Sequence, residues 1–297
     1  MKTIKPNFII IGAMKAATTS LYTYLKQHPE VFMTSIKEPK FFNNFNRHST
    51  SEFQGKGFKK IKTLDQYLAL FQRATNEIAI GEASPSYIFD KDCHSLIKEV
   101  LPKAKIIAII RQPVKRAYSN FLHARRAEQE VEIDFEKAFT EGDNILQKGT
   151  KKHFYLEKGF YYIQLKRYFD VIPKEQIKII IFEDIIRNPE DITQEVFEFL
   201  GVDSSFVPNT SKKANVSGIP KGYLGWIIMK LRKNNLMPDI EFSKVLPEFL
   251  VDLILNIIYS KPEKISNKLV KKLTKKYYLE DIKKLEKLIN RDLSMWM

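Results

Sequence analysis

Four short apolar runs, each followed by a loop and an amphipathic helix, constrain what this chain can fold into more than any other feature. Asn7 to Ile11 is a β-branched run that ends at Gly12, and Thr19 to Gln27 then reads as a helix stopped by Pro29. Ile78 to Ile80 is followed by the loop Glu82 to Ser86 and a helical Asp92 to Leu101. Lys105 to Ile110 precedes a helix that Pro113 starts and that runs to about Arg126; Ile177 to Phe182 precedes Pro189 to Leu200, closed by Gly201. Strands without polar alternation are buried on both faces. Their alternation with helices therefore predicts an α/β fold, a parallel sheet flanked by helices.

The stretches 50–62, 141–152 and 211–222 are polar and Gly- or Lys-containing, and read as loops. Beyond them the pattern is helical only, over 223–233, 247–260 and 279–290. The expected organisation is a single domain, 1–297, with an α/β core over 1–222 and an α-helical C-terminal extension over 223–297.

Composition narrows the chemistry. The single cysteine, Cys93, excludes an intrachain disulfide framework and a cysteine-based zinc site, and fits a reducing, cytoplasmic setting. The five histidines lack metal-ligand spacing, so no metal is expected. Lys15 interrupts the first apolar run too early for a signal peptide, and the most apolar later stretch, Phe249 to Tyr259, is short and carries Asp252; a soluble protein is expected. The 49 Lys and Arg against 35 Asp and Glu leave a net charge of +14. That excess suits an anionic ligand, a nucleic acid or an acidic membrane surface, without choosing among them.

The loop Gly12-Ala13-Met14-Lys15-Ala16-Ala17-Thr18-Thr19-Ser20-Leu21 joins the first strand to the first helix, where open α/β sheets bind ligands. The helix N-terminus offers unpaired N–H groups, small residues at Ala13, Ala16 and Ala17 let an anion approach the backbone, Thr18, Thr19 and Ser20 add donors, and Lys15 adds a full charge. It is not a Walker A loop: the second glycine is missing and the lysine precedes the hydroxyls by three positions. The simpler reading, that a threonine merely caps the helix over a solvated Lys15, stays open at this point.

The pattern Gly12-x-x-Lys15-x-x-Thr18-Thr19-Ser20-Leu21 resembles the 5′-phosphosulfate loop of sulfotransferases that use 3′-phosphoadenylyl sulfate (PAPS). Lys37-Glu38-Pro39-Lys40-Phe41-Phe42 is similar to an element of the heparan sulfate sulfotransferases and their bacterial relatives, with Lys40 where those carry histidine. Ile109-Ile110-Arg111-Gln112-Pro113-Val114-x-Arg116-Ala117-Tyr118-Ser119 resembles the 3′-phosphate strand and helix. Gly159-x-Tyr161, Phe182-Glu183-Asp184 and Asn215 to Lys221 resemble later landmarks. The order holds over about residues 7 to 222.

The resemblance implies a P-loop-like fold and a carbohydrate-type sulfotransferase that takes PAPS as donor and releases 3′-phosphoadenosine 5′-phosphate (PAP). It implies Glu38 as general base and Lys15 at the leaving phosphate oxygen. Lys15, Ala16, Ala17, Thr18, Thr19 and Ser20 would hold the 5′-phosphate, Arg111 and Ser119 the 3′-phosphate, and Lys221 and Gly222 would close over the donor. Lys40 and Glu82 are secondary, acceptor-side candidates, Glu82 with the alternative of orienting Lys15 or satisfying loop backbone. Phe41 and Phe42 read as core. The acceptor would be a glycan, a glycolipid or a small hydroxyl or amine compound.

Two other functions compete. A P-loop-like nucleotide kinase is disfavoured by the absent Walker A glycine, and a nucleic-acid-binding protein rests on charge alone, with no recognition module in the sequence. The lysines at 261, 264, 271, 272, 275 and 276 form either a membrane or acceptor face or a solvated helix face over ordinary core, the latter being the commoner origin of charge runs.

Overall fold

The computed structural model describes residues 4–45, 61–127, 129–130, 132–141, 154–211, 219–220, 259–260 and 264–297. Five parallel strands, β1 (Phe8–Gly12), β2 (Val31–Met33), β3 (Ala79–Ala83), β4 (Lys105–Ile110) and β5 (Ile177–Ile181), form one sheet in the order β2-β3-β1-β4-β5. The four apolar runs are β1, β3, β4 and β5, as their unbroken hydrophobicity requires. Every residue of β1 is buried, and so are Ile106 to Ile110 of β4. Among the described residues β2 is the strand that sequence reading passes over, because three residues carry too little pattern.

The connections place the site. From β1 the chain goes out to β2 at one edge, returns to lay β3 between β2 and β1, then crosses over β1 to lay β4 and β5 on the other side. The reversal opens a crevice at the carboxyl ends of β1 and β4, which are register neighbours (Ile10 opposite Ile107, Gly12 opposite Ala108). The loop after β1 carries Lys15 and the loop after β4 carries Arg111.

The helices α1 (Thr18–Leu25), α2 (Phe41–Asn44), α3 (Leu64–Ala69), α4 (Cys93–Val100), α5 (Pro113–Arg126), α6 (Phe135–Glu141), α7 (Tyr161–Phe169), α8 (Phe182–Arg187) and α9 (Pro189–Leu200) cover the sheet. Expected boundaries of α5 and α9 hold, Pro113 and Pro189 each standing at a helix start and Gly201 taking φ 84° past the end of α9. Two boundaries differ. β3 extends to Ala83, so Glu82 is a strand residue and not a loop residue. Glu141, expected to open a loop, is the last residue of α6.

The C-terminal part is helical over Asn267–Leu273 and Leu279–Ile289, joined by a π-helical turn at Thr274–Tyr278. It is fastened to the core beside the end of β4. Gln112 Nε2 donates to Thr274 Oγ1 at 2.6 Å and to Trp296 O at 3.2 Å, and buried Trp296 donates its indole N–H to Glu183 Oε2 at 3.2 Å. Tyr278 donates to Leu156 O at 2.7 Å and passes so close to Gly159 that a Cβ there would overlap its ring. Lys271, Lys272, Lys275 and Lys276 are exposed above buried Val270, Leu273 and Tyr278. The expected helix 247–260 does not reach its end: Tyr259–Ser260 pairs antiparallel with Ile219–Pro220, ahead of Pro262, which disfavours helical backbone at the residue before it. The helix 223–233, the stretch 247–258 and the loops at 142–152 and 212–218 lie outside the described residues, as do Lys221 and Gly222. Among the described residues no helix is long and apolar enough to cross a membrane.

Candidate functional site

The loop after β1 is shaped for an anion by its backbone. Lys15 and Ala17 both have positive φ, 68° and 62°, a conformation that L-residues enter rarely and that turns successive N–H groups to one side. Ala17 is the N-cap of α1 and contributes no side-chain hydrogen bond, and the first turn holds no acidic residue. The first-turn N–H groups therefore have no side-chain cap, and capping by Thr18 or Thr19 is not what the threonines do. Thr18 is buried; Thr19 instead accepts a short hydrogen bond from Lys37 Nζ. The Ala16 N–H is engaged by Ala13 O at 3.2 Å, while Ser20 is half-buried one position further along the helix.

Arg111 follows β4 directly. Its guanidinium lies over the Phe182 ring, 4.2 Å from the centroid, and Nη1 donates to the Lys15 carbonyl at 3.0 Å, so the two loops are tied together at the crevice. Its Nε is buried without an acceptor. Burial lowers the Arg111 pKa and the Glu183 carboxylate opposes that shift. Ser119 is half-buried on the same helix that Gln112 caps. Arg116 is fully enclosed and donates to Tyr155 O at 2.6 Å, which sets it apart from the crevice cations.

The third loop hangs on the end of β3. Glu38 and Lys40 take positive φ, 59° and 53°, on either side of Pro39. The Glu38 N–H donates to Ala83 O at 3.2 Å; the Lys40 N–H donates to Ser84 Oγ at 3.1 Å, and Ser84 Oγ donates to Glu82 Oε2 at 2.8 Å. The Glu38 and Lys40 side chains, both partly exposed, pair at 3.3 Å. Beneath them Phe41 stacks on Tyr67 at 4.4 Å between centroids, and Phe41 and Phe42 are buried, as core residues should be.

Glu82 is fully buried. It supports the Glu38 loop through Ser84. Burial pushes its carboxyl up to about 7, against the hydrogen bonds from Ser84, Tyr87 and Tyr67. A carboxyl whose folded pKa exceeds its unfolded value favours the folded state below the unfolded pKa and loses that contribution as pH rises to the folded one. Wild-type stability is thus expected to fall by up to about 3 kcal/mol between pH 4 and pH 8 from this group. Glu82→Gln should flatten that part of the profile in denaturant unfolding, and an unchanged slope would remove Glu82 as its source.

The electrostatics converge on Lys15. Its pKa is depressed to about 8, first by burial and then by repulsion from Arg126, Arg111 and Lys37, with Glu38 opposing. Lys37 and Arg126 were not singled out in the sequence as site residues. Lys37 sits inside the Lys37-Glu38-Pro39-Lys40 pattern and could have been found there; Arg126, the last residue of α5, has no local signal. Four cations around one loop, opposed by Glu38 at Lys15 and by Glu183 at Arg111, form a site that wants an anion. Among the described residues no group of three or more His, Cys, Asp or Glu is arranged to hold a metal.

Comparison with known proteins agrees with this geometry. Residues 6–206 match the model of the Sulfotransferase family. A human bifunctional heparan sulfate N-deacetylase/N-sulfotransferase 3 is 29% identical over 209 residues, covering 66% of this chain and 22% of that protein. Mouse carbohydrate sulfotransferase 15 is 28% identical over 248 residues, covering 66% of this chain and 44% of that one. The chain thus matches less than half the length of either relative. A crystal structure of a sulfotransferase from Alicyclobacillus acidocaldarius superposes with a TM-score of 0.74 at 30% identity, over 99% of both chains. With its parallel sheet, its Lys15 loop and a family match across two thirds of its length, the chain belongs to the sulfotransferase family.

Proposed function

We propose that the protein moves the sulfuryl group of PAPS to a hydroxyl or amine of a glycan or glycolipid acceptor. One observation carries the reading: Arg111 and Lys15, on the loops at the carboxyl ends of neighbouring strands, are joined by a hydrogen bond and line one crevice, with the Glu38 loop suspended from the strand on the other side of β1. The uncapped start of α1 with Thr18, Thr19 and Ser20 suits the 5′-phosphate, and Arg111 with Ser119 suits a second phosphate on the β4 side. The heparan sulfate and carbohydrate relatives support a glycan as acceptor.

The donor supplies an activated sulfuryl group, and the protein supplies position and charge. Glu38, partly exposed and held by the Ala83 carbonyl at its N–H, takes the acceptor proton. The new acceptor–sulfur bond forms as the sulfur–oxygen bond to the 5′-phosphate breaks. Lys15 meets the charge that grows on that leaving oxygen, and Lys37, hydrogen-bonded to Thr19, adds a second cation beside it.

Transfer of labelled sulfate from PAPS to desulfated heparan oligosaccharides tests the reading; transfer of phosphate from ATP with none from PAPS would overturn it. The low Lys15 pKa adds a pH signature. An anion stabilises protonated lysine, so PAP affinity should be full below about pH 8 and fall as pH rises through it, with net proton uptake on binding near pH 8. Calorimetry in buffers of different ionisation enthalpy reads both; pH-independent affinity from 7 to 9.5 would contradict the assignment.

A further inference from the structure

Glu183 stands beside Arg111 and is kept from pairing with it. Phe182 and Glu183 open α8: the Phe182 ring lies against the Arg111 guanidinium, and while burial lowers the Arg111 pKa, the Glu183 carboxylate is near enough to oppose that shift. Among the described residues the two charges nevertheless form no ion pair, because both Glu183 oxygens are turned to other donors. Oε1 accepts the Gln112 N–H at 3.4 Å and Oε2 accepts the Trp296 indole N–H at 3.2 Å. Arg111 has Nη1 on the Lys15 carbonyl, Nε buried without an acceptor, and Nη2 without a partner among the described residues.

Trp296 is itself held from several sides. It is 2% exposed, its ring lies 6.2 Å from that of Tyr161, its carbonyl accepts from Gln112 Nε2 at 3.2 Å, and its backbone N–H donates to Leu293 O at 2.8 Å. The same segment takes up the next acidic residue of α8, since Arg291 pairs with Asp184 at 2.9 Å. This arrangement decides what Arg111 can bind. A carboxylate matches the guanidinium fork as a phosphate does, so a Glu183 free to swing would occupy the donors that a phosphate needs. The Trp296 N–H gives that carboxylate a fixed neutral partner instead, and Arg111 keeps its unpaired N–H groups in an orientation set by Phe182 and the Lys15 carbonyl.

We propose that Trp296 is a positioning residue of the donor site, which holds Glu183 off Arg111 and so preserves the preference for a ligand with a second phosphate. The role rests on the PAPS reading of the Arg111 side and adds to it a residue that acts through Glu183. The test is calorimetric titration of PAP and of AMP into wild type, Trp296→Phe and Trp296→Phe/Glu183→Gln. Trp296→Phe keeps an aromatic ring and removes the donor; PAP affinity should fall about tenfold, the order of one charge-assisted contact, with AMP affinity unchanged. Glu183→Gln in the same chain removes the competing charge and should restore the PAP preference. A purely structural role for Trp296 would weaken both ligands alike or leave the loss unrescued, and either result overturns the proposal, as does an undiminished preference in Trp296→Phe. Should Trp296→Phe fail to fold, benzothienylalanine at position 296, an isostere with sulfur in place of the N–H, carries the same expectations. Equal affinity of wild type for PAP and AMP would overturn the donor reading itself, and this role with it.

Discussion

Lys15→Ala is expected to lower kcat by about 10²–10³-fold or more, the loss found when one preorganised donor to a developing oxyanion is removed. The argument is electrostatic. Lys15 is half-buried in a cluster with Arg111, Lys37 and Arg126, and its burial, with the repulsion of those neighbours second, already pulls its pKa down to about 8. Such a lysine is held at a cost in the empty site, and the cost is relieved as negative charge appears beside it. The benefit should be largest at the transition state, where the leaving phosphate oxygen gains charge, so kcat should fall more than donor affinity. Lys15→Arg keeps the charge and changes its reach, and should recover only part of the rate, because a planar guanidinium cannot act as a point charge at the same spot. Lys15→Ala with normal turnover would remove this residue from the chemistry.

The second large effect is expected at Glu38. Glu38→Gln retains size and hydrogen-bonding shape but cannot take a proton, so turnover should drop by about 10²–10⁴-fold while PAP binds as in wild type. The backbone predicts a companion result. The loop takes positive φ at both Glu38 and Lys40 and is held there by Ala83 O and by the chain of hydrogen bonds through Ser84 to Glu82. Ser84→Ala cuts that chain without touching the carboxylate of Glu38. Its effect on kcat should be smaller than that of Glu38→Gln, and a full-rate Glu38→Gln enzyme would leave the Ser84 chain as a purely structural feature.

How far the sequence carries this picture depends on the range of the interactions involved. Strands β1, β4 and β5 and helices α5 and α9 are legible because burial on two faces and proline or glycine at helix ends are local signals. The Lys15 loop and Arg111 are legible for the same reason, each standing just past a buried strand. Glu82 reads as the start of a loop because Glu82 to Ser86 is polar and holds Pro85, whereas β3 runs on to Ala83, with Gly81 needed to admit the Phe8 ring and the carboxylate enclosed by Tyr67, Tyr87 and Ser84. Arg126 and the Lys37 to Thr19 contact depend on the sheet order that folds α5 and the Glu38 loop toward β1, and no periodicity along the chain encodes them. The docking of Trp296 on Glu183 is equally long-range. Of the net charge of +14, the cluster around Lys15 accounts for a small share, and further lysines lie exposed on the C-terminal helices.

The central claim is that the crevice between β1 and β4 reads two phosphates, one on each loop. It is tested most directly by calorimetric titration of PAP against AMP into wild type and Arg111→Ala, since the two ligands differ in the 3′-phosphate. Wild type should prefer PAP by about 30- to 140-fold, as a charge-assisted, partly buried contact contributes on the order of 2–3 kcal/mol, and Arg111→Ala should erase most of that preference while AMP affinity changes little. Equal binding of PAP and AMP by wild type, or an undiminished preference in Arg111→Ala, would contradict the account.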